Sequence, residues 1–240
     1  MKKSLLELDP DADALLILQS PNLQQVHAAK EVDLRDTKDK AEPKTTASTP
    51  AKGKKKSKTL TDLKKIKSLQ PYREDGSPNE LEFRVSTKHL CIASPVFRKM
   101  IQGNFQESQP KDWNTRALLI LLDIIHGHHR QVPRVLDLDT IAQIGFLVDY
   151  YDCLEIVEVF FDLWQAHLSD WWKYGRIYFD KSSIHPFGES QLLMLFIALT
   201  FRNQVVFKNL TISAILTTSG HIETHLPVPS QILDRVANVE

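Results

Sequence analysis

The stretch FRVSTKHLCIASPVFRKMIQGNFQES, Phe83 to Ser108, decides the fold. Leu81, Phe83 and Val85 alternate with Glu82 and Arg84, the period of two that marks a half-buried strand. Ser86 can cap a short helix that follows directly. A second helix opens with Ser94 at the N-cap and Pro95 at the first helical position, and Gly103 stops it. Phe97, Met100 and Ile101 fall at helical spacing and, with Val96, are expected mostly in the core. Nothing in the stretch sets a nucleophile beside a base, cradles a phosphate or gathers metal ligands. It reads as a packing and docking unit.

Working outward, Asp13-Ala-Leu-Leu-Ile-Leu18 is an apolar run closed by Ser20, Pro21 and Asn22, a strand bounded by turn residues. Its natural partner is the strand at Leu81 to Val85. Between them lies an insert, residues 25–79, rich in Lys, Thr, Ala, Asp and Pro, with Tyr72 as its single aromatic. Such a composition cannot bury enough apolar surface to offset the entropy of ordering, so most of it is expected to be disordered. Loop-closure cost grows only logarithmically with length, so paired strands tolerate it. A retained intron or an imperfect gene model is the other explanation.

Helical patterns dominate beyond Gly103. Asn114 or Thr115 can cap a helix with a Leu118, Leu121, Leu122, Ile125 stripe ended by Gly127, and Asp139 can cap the next, which carries Ile141, Ile144, Leu147, Val148 and Tyr151. A third sets Val157, Phe160, Phe161, Trp164 and Leu168 on one face. Further helical runs follow at Gln191 to Phe201, around Phe207, Leu210 and Ala214, and from Ser230 to Asn238. A few strands packed by many helices make an α+β fold with a helical C-terminal extension over 169–240.

The order of aromatic strand, helix ending in Leu, then Ser-x-x-Phe-x-x-Met, matched by Phe83, Leu90, Ser94, Phe97 and Met100, resembles the BTB/POZ domain. Ser86 and Thr87, where the family usually has a His-Lys pair, together with Ala117 to Arg134 and Leu147 to Phe160, resemble the filamentous-fungal group. The resemblance covers most of residues 7–24 and 80–168. It places the first strand of a small β-sheet within 1–24 and the rest of the domain in 80–168, and it implies a further strand between Gly103 and the next helix. Here only Gln109 to Thr115 stands in that place.

Composition narrows the classes. Thirty Lys and Arg balance thirty Asp and Glu, which gives no bulk attraction to nucleic acid or to an anionic membrane. Two cysteines, Cys91 and Cys153, sit in apolar patterns and read as small hydrophobes, not as a disulfide framework. The longest apolar run, Leu192 to Leu199, is too short to span a bilayer, and acidic residues interrupt the N-terminus, so a soluble intracellular protein, nuclear or cytoplasmic, is expected.

His126, His128 and His129 read as a helix end, where cations are favoured, because no carboxylate or thiol completes a zinc set. Asp9, Asp11 and Asp13 lack the glycine and glutamate of a calcium loop, since Ala14 and Ser20 stand there. His89 reads as a partly buried packing residue. Lys54, Lys55, Lys56 and Lys58 make either a nuclear-import signal or a solvated linker whose lysines keep it soluble; without interleaved aromatics, nucleic-acid binding is not favoured. No catalytic, metal or cofactor site is expected.

The resemblance implies a non-catalytic interaction module that self-associates or recruits protein partners. Leu8, Leu15, Ile17, Leu90 and Ile92 are the candidate dimer seam. Phe105 and Glu107 match the hydrophobic-x-Glu motif of family members that recruit cullin-type scaffolds, which would make the chain a ubiquitin-ligase substrate adaptor; the plainer reading is that Phe105 closes the core and Glu107 faces water. The alternative is a nuclear regulator whose basic insert contacts nucleic acid non-specifically.

Overall fold

The structure, a computed structural model, describes residues 4–24, 26, 69–103, 111–168, 170–175, 187–218, 224 and 226–237. Three strands form one sheet: β1 (Ser4–Glu7), β2 (Ala14–Gln19) and β3 (Glu80–Val85), in the order β1-β3-β2. β2 and β3 pair antiparallel from Ala14↔Val85 to Gln19↔Glu80, the long-range pairing the alternating patterns imply. β1 was not expected. It runs parallel to β3, from Ser4↔Leu81 to Glu7↔Arg84, and a four-residue edge strand carries too little pattern to declare itself locally.

The pleat sends Leu16, Leu18, Leu81, Phe83 and Val85 into the core. Leu5 and Leu15 are about half exposed, and Glu7 pairs with Arg84 across the β1–β3 ladder at 3.1 Å. Residues 69–79, placed in the insert by sequence, are part of the described structure. Asp75 accepts from the Ser77 amide, Gly76 turns with a φ of 78°, and Tyr72 bridges Pro78. Where the further strand was expected, Lys111 alone joins Gln19 in a parallel bridge, among the described residues.

After β3 come α1 (Thr87–Ala93), α2 (Pro95–Gln102), α3 (Thr115–Ile125), α4 (Leu138–Tyr151) and α5 (Leu154–Gln165). Ser94 caps α2 as expected, its hydroxyl accepting from the Phe97 amide. Gly103 closes that helix with an extended backbone, its amide donating to the Lys99 carbonyl oxygen, which a Cβ there would approach to 2.6 Å. Asn114 caps α3. Asp137, not Asp139, caps α4 through the Thr140 amide, since the helix begins two residues earlier than the apolar stripe suggests; Asp139 lies in its first turn.

The C-terminal helices α6 (Trp171–Tyr174), α7 (Glu189–Thr200), α8 (Gln204–Thr217) and α9 (Ser230–Ala237) share the same core. α4 packs along α7, where a Cβ on Gly145 would sit 3.2 Å from the Phe196 ring. Phe161 of α5 stacks on Phe201, after α7, at 4.1 Å. The extension is therefore a layer of the domain rather than an appendage. Among the described residues no helix is long and apolar enough to cross a membrane.

Candidate protein-interaction surface

The surface is built on α1 and α2, and both are pinned from a distance. Ser86 holds the N-cap position of α1, yet its side chain makes no capping bond. The carboxylate of Asp13 takes that role: Oδ1 accepts from the Thr87 amide at 2.7 Å and Oδ2 from the Thr87 hydroxyl. Those two bonds, the hydroxyl first, hold the Asp13 carboxyl below its ordinary pKa. The Ser86 amide donates instead to Nε2 of His126, 3.0 Å away at the end of α3.

α2 is fixed from the other side. The Ser94 hydroxyl, fully buried, donates to the Tyr151 carbonyl while accepting from Phe97. The Phe97 ring stacks on Tyr151 with centroids 4.1 Å apart. Arg98 reaches back to the Cys91 carbonyl with two N–H groups, at 3.1 and 2.8 Å, which ties the end of α1 to the start of α2.

Between β2 and these helices runs an apolar groove of about 250 Å³. Leu15 and Ile17 form its strand side, Met100 and Ile101 its helical side, and Leu90 and Phe97 its floor. Met100 is half-buried, and Ile101, expected in the core, is 41 % exposed because α2 turns it onto the rim. On the outer side of β2, among the described residues, only the Gln19–Lys111 bridge adds to the sheet.

Of the five candidate seam residues, three meet at this groove: Leu15, Ile17 and Leu90. Leu8 and Leu90 are 2 % and 1 % exposed, so they pack beneath the surface and offer no area of their own. Ile92 is 69 % exposed but does not line the groove; two positions from the buried Leu90, it lies across the helix. Phe105, Glu107 and Lys54, Lys55, Lys56 and Lys58 lie outside the described residues.

The histidines resolve differently from one another. His89, expected partly buried, is 45 % exposed at its side chain, with Nδ1 3.8 Å from Asp9. It meets His126 edge-on at 5.4 Å. His128 bonds the buried Asp123 carboxylate at 3.2 Å, and His129 packs against Phe160. Among the described residues, no three His, Cys, Asp or Glu side chains converge as a metal site. Cys153 is buried and its thiol is pushed up to about 12, by burial first and the Asp152 charge second, so it stays protonated; Cys91 is half-buried.

Two residues that hold the frame were not singled out. Asn22, with a φ of 63°, donates from Nδ2 to the Leu69 carbonyl at 2.9 Å and accepts at Oδ1 from the Thr115 amide at 2.8 Å. Its signal was present in the Ser-Pro-Asn turn, read only as a strand end. Gly145, alone in an apolar helix, marks a close approach.

Residues 77–168 match the family model of the BTB/POZ domain. No curated protein matches the chain. The match begins just before β3, so β1 and β2 lie outside the matched residues although they pair with β3 in the same sheet. A protein-interaction module is what this domain provides.

Proposed function

We infer from the BTB/POZ domain at residues 77–168 that this protein works by holding other proteins rather than by transforming a substrate. Its first partner is a second copy of itself, docked at the groove beside β2. The observation that carries this reading is the apolar groove, where Leu15, Ile17, Met100 and Ile101 are presented together over a buried floor of Leu90 and Phe97. Two copies docked through the same patch close a two-fold dimer, and a dimer presents bound partners in duplicate.

The finer role is recruitment. Phe105 and Glu107, close in sequence to the Ile101 rim, would give a cullin-type scaffold an apolar anchor beside a carboxylate, the arrangement of a ubiquitin-ligase substrate adaptor. Affinity purification of the full chain beside a Phe105→Ala, Glu107→Ala variant tests this. A cullin captured by the natural chain and lost in the variant supports the adaptor role. A cullin absent from both, or equal in both, removes it.

A further inference from the structure

His126 stands just beyond the last turn of α3, its ring held between backbone groups of two elements. Nδ1 is 2.8 Å from the Leu122 carbonyl oxygen, which can only accept, so Nδ1 carries the proton. Nε2 is 3.0 Å from the Ser86 amide, which can only donate, so Nε2 must offer a lone pair. Together the two partners select the neutral ring in one tautomer. A second proton, at Nε2, would point at the Ser86 N–H.

We propose that His126 is a proton-operated latch, joining the start of α1 to the end of α3 at neutral pH and releasing it on acidification. The groups facing the ring come from three directions. His89 approaches from α1 and His128 from the turn after α3, at centroid distances of 5.4 and 6.5 Å. Asp9, from the β1–β2 connection, faces it through His89, and Asp123 of α3 is bound to His128. Burial, then the two imidazoles, oppose the charged ring, while the Leu122 carbonyl and Asp9 favour it; the balance keeps the His126 pKa below its ordinary value.

The sign follows from proton counting. The latched ring binds fewer protons than a released one, whose pKa is about 6.5. The latch is fully engaged above that value and fails as pH falls through the lowered pKa. Release is local, because Thr87 keeps both bonds to Asp13 and the β3 ladder is untouched.

Amide hydrogen exchange on the full chain at pH 7.5 and pH 5, each rate referred to an unstructured peptide at the same pH, reads the latch directly. In the natural chain, Ser86 protection falls about tenfold on acidification, the scale of one hydrogen bond, while the β3 amides keep theirs. In His126→Gln an amide oxygen can stand where Nε2 stood and accept without titrating, so Ser86 protection becomes equal at the two pH values. Should that variant not fold, His89→Gln serves, and the His126 ring followed by its proton chemical shift titrates at a higher pH. Unchanged Ser86 protection in the natural chain, the same loss in His126→Gln, or a His126 midpoint unmoved by His89→Gln would each overturn the proposal.

Discussion

Thr87 opens α1 by giving both its amide and its hydroxyl to Asp13, 74 positions upstream and beyond the insert. Capping rules look for the acceptor within a few residues, so the sequence pointed to Ser86, which takes the position without making the bond. Asp13→Asn therefore lowers the urea midpoint, whereas Ser86→Ala leaves it nearly in place; equal losses in the two variants would count against the remote cap. The Asp13 carboxyl is depressed by its bonds to Thr87, so its contribution is present above the unfolded pKa of about 3.8 and is lost as pH falls through the lower folded value. The difference between natural chain and variant should accordingly vanish in strong acid. Asn22 teaches the same lesson: its turn was legible, but its bonds to Leu69 and Thr115 join segments only the fold brings together.

Elements were read best where their signals are local. Ser94, Pro95, Phe97 and Gly103 lie within ten positions and define α2 from cap to stop. What the pattern could not show is that the Ser94 hydroxyl also reaches the Tyr151 carbonyl, which anchors α2 to the end of α4. Ser94→Ala strands two buried backbone groups at once and is expected to cost about 2 kcal/mol in urea unfolding. Ile101→Ala removes a half-exposed side chain from the groove rim and should cost less than about 1 kcal/mol. A reversed order would mean that the rim is core. The helical period placed Phe97 and Ile101 on one stripe, but a stripe wider than its partner leaves its margin in solvent. β1 escaped for the complementary reason, since its hydrogen bonds belong to β3.

At the scale of the whole molecule, the insert and the C-terminal helices set the design. The chain leaves and returns at neighbouring points, for Asn22 bonds Leu69 directly. Replacing residues 27–66 with a six-residue glycine-serine linker should thus keep the circular dichroism spectrum. An unfolded product would show that the insert contributes to the core. The family match ends at Leu168, yet Phe196 and Phe201 pack against α4 and α5, so α7 completes the layer over the matched domain. Its presence was legible as an apolar helix; its docking on Gly145 was not, because that contact is tertiary.

The interaction surface is most directly tested by sedimentation equilibrium over a dilution series, comparing the natural chain with a Leu15→Glu, Ile101→Glu variant. The natural chain should form a dimer that dissociates on dilution, and the variant a monomer at every concentration, with unchanged circular dichroism. A natural chain that stays monomeric at the highest concentration, or a variant that dimerises as well as its parent, would contradict it.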